Sequence, residues 1–357
     1  MVDRMAVPAG RAAVRERGSA PDVVGAVVLG ACAVWALISA AAGGGRPEGI
    51  LLAVLALAAG YACGRISGGT VPVAAASVVA VAALAAAVVS GRDTPAASVA
   101  VATPQGDSGA VAALLALAAG AACCAATSAR RHRSRVLLRL LAVTIAAAAL
   151  LLGSVAGLVA VLGVLLCSLA AARMRRRSAA LAGLALVAAL VVGGSWAVAE
   201  DALPEGLSVS LEGQLTTNRV QLWHEAVDLA KEHPLLGVGP DRFGDLSPTA
   251  LQSLDSDGKP HSAALQEVSE QGVVGLLLLA TVFGWLLHGL VRSPCSTPVV
   301  LTAGATLTAL ATLASVGNAL SFAPVTAGAG LLAGLATARP AGRLVPHALP
   351  ALNRAPG

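Results

Sequence analysis

Charge is what this chain has least of. Asp, Glu, Lys and Arg make up 12% of its 357 residues, against roughly 25% in a soluble domain. The 57% that are hydrophobic exceed what one water-soluble core can hide. Together these figures exclude an ordinary cytosolic enzyme, a nucleic-acid-binding protein and a disordered tail. Aromatic residues are equally scarce, at 2%, so the apolar mass is Ala, Val and Leu, a membrane composition. Lysine is nearly missing: Lys231 and Lys259 are the two among 24 basic residues, which with the heavy Ala, Gly and Val usage points to a GC-rich bacterial genome. The six cysteines (Cys32, Cys63, Cys123, Cys124, Cys167 and Cys295) all fall in or beside apolar runs. No exported disulfide framework is expected, and they read as small core residues.

What is present is apolar sequence in long runs, with a mean hydropathy of +0.80. At roughly 20 residues per spanning helix there is room for about ten spans, predicted near 22–42, 48–64, 70–90, 109–127, 136–152, 155–172, 179–199, 272–291, 298–316 and 321–338. The basic N-terminus with its long following run reads as a first helix rather than a removable signal peptide. If that terminus is cytoplasmic, Arg65, then Arg130 to Arg135, Arg173 to Arg177, Arg292, and Arg339 with Arg343 all fall on the cytoplasmic side, as the positive-inside rule requires. Both termini are then cytoplasmic. The expected fold is all-α: a polytopic bundle with a basic segment at 1–21, about seven spans in 22–199, one large external loop at 200–271, about three spans in 272–338 and a tail at 339–357. The pI near 9.2 reflects membrane orientation, and no nucleic-acid partner is expected.

The loop at 200–271 is the place with room for aqueous chemistry. It holds thirteen of the nineteen acidic residues and four basic ones, Arg219, Lys231, Arg242 and Lys259. Thr217 or Asn218 can cap a helix, and Val220, Trp223, Val227 and Ala230 give it one apolar face, to lie along the membrane interface or on the bundle. Pro234 ends it. His224-Glu225 opens like H-E-x-x-H, but Asp228 stands where the second histidine is needed, so no metal site is expected. The G-x-G at Gly237 follows no βαβ strand and is no dinucleotide site.

In order along this loop stand Arg219-x-x-x-Trp223, Pro234-Leu235-Leu236-Gly237-Val238-Gly239, His261, and Gly272 eleven residues later at the start of a span. This order resembles the O-antigen ligase/polymerase family of bacterial membrane glycosyltransferases. The resemblance implies a multi-pass plasma-membrane enzyme that hands a polyprenyl-diphosphate-linked glycan to a hydroxyl of a glycan, lipid or cell-wall acceptor. The transfer would be inverting, with no metal and no cofactor, among membrane lipids. His261 is the candidate general base and Arg219 the candidate for stabilising the diphosphate leaving group. Arg242, Trp223 and Arg92 are candidate substrate-binding residues.

Each has a plainer reading: a loop histidine at a helix start, an arginine paired with Glu212 or Glu225, a tryptophan that packs or anchors at the interface. The sequence also departs from the family pattern. Val155 stands where an arginine is expected in an external turn, and Ser262 replaces the asparagine after the histidine. The alternative function is a catalytically silent partner or a transporter in cell-surface polysaccharide assembly.

Overall fold

The computed structural model describes residues 10–92, 105–174, 176–200, 202, 217–252 and 257–339. Among them every regular element is a helix. Seven apolar helices come first: α1 (Gly10–Gly43), α2 (Glu48–Thr70), α3 (Pro72–Arg92), α4 (Gln105–Ser128), α5 (His132–Leu151), α6 (Val155–Ala171) and α7 (Arg177–Ala199). The loop region supplies α8 (Thr217–Glu232) and two short helices, α9 (Phe243–Leu246) and α10 (Pro248–Gln252). The last three are α11 (Ala263–Val291), α12 (Thr297–Ser315) and α13 (Ala323–Thr337). Eight of the helices are long and apolar enough to cross a membrane, and α6 and α13 are shorter apolar helices. The ten apolar runs are therefore ten helices, and the chain is a multi-pass membrane protein.

Small side chains set the packing. Helix α4 is the axis: 94% of its apolar window is buried, because a run rich in alanine lets α3, α5, α6 and α12 approach from every side. Helices α2 and α13 cross through paired small-residue stripes, Gly60-x3-Gly64 against Gly330-x3-Gly334. Methyl groups at Gly60 or Gly64 would overlap the Ala327 or Leu331 carbonyl, so the two backbones touch as in GxxxG pairs.

The two ends of the bundle differ in chemistry. At one end Arg65 bridges Asp22 (3.0 Å) and the Thr337 carbonyl, Arg177 donates to Ser293 O (2.9 Å), and Trp285 Nε1–H donates to Pro21 O (2.9 Å). At the other end the α1–α2 turn, the loop region and the α12–α13 turn meet. The described residues of the basic clusters read as cytoplasmic thus gather opposite the loop.

Several boundaries differ from the sequence reading, the start of α1 at Gly10 among them. Helix α2 continues to Thr70, its Gly68 still against α13. Helix α11 starts at Ala263, nine residues ahead of the apolar run, and Gly272 is a break inside it rather than its start (φ 70°, ψ −171°). The cysteines are also less uniform than expected: Cys123 and Cys124 are buried, but Cys63 is exposed on its helix.

Candidate functional site

The Gly272 break organises the loop. In an unbroken helix the carbonyls of Ser269, Glu270 and Gln271 would accept from the amides four residues on. Here Val238 N–H donates to Ser269 O and Gly239 N–H to Glu270 O, both at 2.9 Å. Trp35 Nε1–H of α1 donates to Gln271 O at 3.0 Å. The freed Val273 N–H donates to Pro234 O at 2.9 Å. The Pro-Leu-Leu-Gly-Val-Gly segment therefore splices into the broken helix and satisfies groups that would be costly to bury unpaired. Both glycines are required: Gly237 and Gly272 have φ of +65° and +70°, and a methyl on either would overlap the Glu270 or Leu235 backbone. Beneath the splice, Glu270 (3% exposed) accepts from Gln266 Nε2 (3.3 Å) and faces the backbone amides of Asp241 and Phe243. This buried carboxylate holds the segment that carries Arg242.

Helix α8 stands on this base. Its apolar face, Leu222, Trp223, Ala226 and Val227, forms a small core with Ala199, Phe243, Ala250 and Leu265, so it lies on the bundle. Glu225 leaves its helix to accept from Ser247 Oγ and from Thr249 N (3.2 Å) and Oγ1 (2.5 Å), while Ser247 Oγ caps α10 through Ala250 N (3.1 Å). Glu225 is thus engaged with α10. Trp223 is 1% exposed, and its Nε1–H donates to Pro260 O at 2.8 Å. The carbonyl it holds belongs to the residue just before His261.

His261 is 9% exposed, with its backbone in the left-handed region at φ +53°. Its Nε2 lies 3.3 Å from Asp257 Oδ1. Its Nδ1 is buried with no hydrogen-bond partner among the described residues. Burial pushes the imidazole below the ordinary histidine pKa; the Asp257 carboxylate opposes this, and the Arg219 and Lys259 cations reinforce it. Arg219, one helical turn before Trp223, is therefore within electrostatic reach of His261, and burial lowers its own pKa.

Beside Asp257 opens a polar cleft of about 460 Å³, walled by Gly44, Gly45, Arg46, Asp241, Arg242, Gly244, Asp245, Ala250, Asp257 and Gly258. The α1–α2 turn closes one side. Arg46 N–H donates to Pro240 O (2.8 Å), and Arg242 Nη1 donates to Gly43 O (2.6 Å). Two guanidinium groups, from turns far apart in sequence, thus share one cleft with three carboxylates.

Of the residues singled out from sequence, His261, Arg219 and Trp223 come together, and Arg242 lines the adjoining cleft. The Arg92 side chain lies outside the described residues; its helix ends against Leu152 of the α5–α6 turn, since a methyl on Gly91 would overlap that side chain. Val155 begins α6 at 74% exposure, behind the Ser154 cap, whose Oγ accepts from Gly157 N (3.1 Å). Sequence reasoning missed Arg46. The available signal was its side: an arginine in the Gly43 to Glu48 turn sits where the positive-inside rule leaves few.

Fold and site together define a polytopic membrane protein with one polar, partly buried site at the end of the bundle opposite its basic clusters. A family model described as O-antigen ligase matches residues 140–280, from α5 through the Gly272 break. The resemblance to this family read from the loop is thereby borne out over this stretch. A search of curated proteins finds no match. The matched stretch includes Arg219, Trp223, Arg242 and His261; Arg46 lies outside it.

Proposed function

We propose that this chain is a glycosyltransferase that moves a saccharide from a polyprenyl diphosphate to an acceptor hydroxyl at the external face of a bacterial plasma membrane. The observation that carries the reading is His261, buried with an unpartnered Nδ1, whose partner Asp257 also walls a cleft holding two arginines. The acceptor oxygen attacks the sugar carbon opposite the diphosphate and loses its proton to His261. The bond from carbon to diphosphate oxygen breaks, and its electron pair leaves with the diphosphate. Arg46 and Arg242 face that charge with planar forks of donors that do not titrate. Arg219 adds a third cation close to the base. Asp241 and Asp245 suit sugar hydroxyls, which donate to carboxylates, and their negative charge keeps the diphosphate on the arginine side. The role that fits Trp223 is to fix the Pro260-His261 backbone, since its ring is enclosed.

The reading as a silent assembly partner draws on Val155, where no cation stands. Arg46 answers it by supplying a cation from another turn. The test is the level of polyprenyl-diphosphate-linked glycan in cells of the source organism lacking the protein. Accumulation that wild type clears and His261→Ala does not is expected. Equal clearance by the two would put the silent-partner reading ahead.

A further inference from the structure

Behind His261 stands a chain of side chains that the transfer reading does not by itself require. Asp257 Oδ1 lies 3.3 Å from His261 Nε2, and Asp257 Oδ2 accepts from Asn318 Nδ2 at 3.2 Å. Lys259 N–H also donates to Oδ1, at 3.2 Å. Asn318 belongs to the turn between α12 and α13, sixty-one residues along the chain from Asp257; it is 8% exposed, and its Oδ1 accepts from Ser321 Oγ. Each acceptor oxygen of Asp257 is therefore engaged, and the carboxylate is fixed from two independent elements.

A carboxylate oxygen can only accept, so the imidazole nitrogen that faces it carries the hydrogen. For neutral histidine that leaves Nδ1 as the lone-pair nitrogen. The same Nδ1 is the buried atom with no partner among the described residues. A buried polar atom left unpaired costs free energy, and a catalytic role is one of the reasons a native structure keeps one.

We propose that Asp257, held by Asn318, is a positioning residue that fixes His261 in the Nε2–H tautomer, so that Nδ1 is the nitrogen that receives the acceptor hydroxyl's proton. This rests on the glycosyl-transfer reading for its chemistry, but the tautomer does not. As the acceptor oxygen bonds to the sugar carbon, its proton moves to Nδ1 and the diphosphate departs with the electron pair. The resulting imidazolium then lies against the Asp257 carboxylate, which stabilises it. The logic is that of a base oriented by a third group, here with a fourth behind it that ties the loop to the last pair of apolar helices. The charged groups that bear on His261 are Asp257, which favours its protonated form, and Arg219 of α8 and Lys259, which oppose it.

Two readouts test this on the full-length protein in lipid nanodiscs. The first is ¹⁵N NMR of histidine-labelled protein, with His261 assigned by difference from His261→Gln. A protonated Nε2 and an unprotonated Nδ1 are expected in the wild type at pH 8; a protonated Nδ1 would overturn the proposal whether or not transfer activity is found. The second is the pH profile of kcat/KM, with lipid extract of the deletion strain as donor. Asp257→Asn is expected to lower kcat by about 10- to 100-fold and to move the acid limb to lower pH, because the charge favouring the imidazolium is gone. Asn318→Ala is expected to shift both in the same direction by less. An acid limb unmoved in Asp257→Asn would overturn the proposal. Absence of wild-type transfer together with the expected tautomer would instead strike the functional reading and leave the dyad standing.

Discussion

Trp223 and Pro260 are joined by a buried hydrogen bond of 2.8 Å, indole N–H to carbonyl. It sets the backbone one residue ahead of His261, which itself stands in the left-handed region. The R-x3-W element is thereby tied to the histidine: one turn of α8 carries both the cation that acts on the imidazole and the donor that holds its backbone. Trp223→Phe keeps the packing and removes the donor. It is expected to destabilise the protein by about 1–3 kcal/mol, the cost of a buried carbonyl left unpaired, and to slow transfer by up to about 10²-fold through misplacement of the base. Thermal unfolding in detergent and initial rates check the two effects separately.

The depressed pKa of His261 fixes the sign of a pH dependence. As the proposed base, His261 works only when neutral, so kcat/KM is expected to rise as pH climbs through the histidine pKa and then level off. Because burial favours the neutral form, the midpoint is expected below the ordinary value of 6.5. A midpoint above it, measured from initial rates between pH 4.5 and 8, would contradict the burial seen here.

Arg46 and Arg242 make a prediction about the donor. If both face the diphosphate, Arg46→Gln raises the donor KM by about 10-fold or more, the size of one charge-assisted contact. Arg46→Lys recovers only part of this because an ammonium cannot reproduce the planar fork. Titrating transfer rate against donor concentration distinguishes this from a loss of kcat alone.

Gly272 carries φ +70° with ψ −171°, a region essentially reserved for glycine. Gly272→Ala should cost about 1–3 kcal/mol from the backbone alone, with the overlap against Leu235 adding to it. Loss of the spliced segment would follow, read as faster proteolysis at residues 234–242.

Much of this molecule was legible in its sequence, for a physical reason. A membrane leaves few solutions for the backbone, so ten apolar runs had to be ten helices. The arginine clusters sorted to one end as the positive-inside rule dictates. The loop motifs were legible because several stood in order, and the structure gives that order a cause: Pro234 to Gly239 and Gly272 are two halves of one splice. The hidden features depend on contacts between distant elements. Arg46 reads as one arginine in a short turn until the fold sets it across from Arg242. Asn318 sits in a Gly-Asn turn with nothing local to link it to Asp257. The start of α11 was misplaced because hydropathy marks where lipid-compatible sequence begins, and its first nine residues, Glu267 and Glu270 among them, are helical in a protein environment instead.

The central claim is that His261 is the base of a transfer from lipid diphosphate. Its most direct measurement is release of polyprenyl diphosphate by purified full-length protein in nanodiscs, supplied with lipid extract of the deletion strain as donor and a membrane-polysaccharide extract as acceptor. The account predicts release by wild type and a loss of about 10²- to 10⁴-fold in a folded His261→Ala protein. Equal release by the two proteins would contradict it.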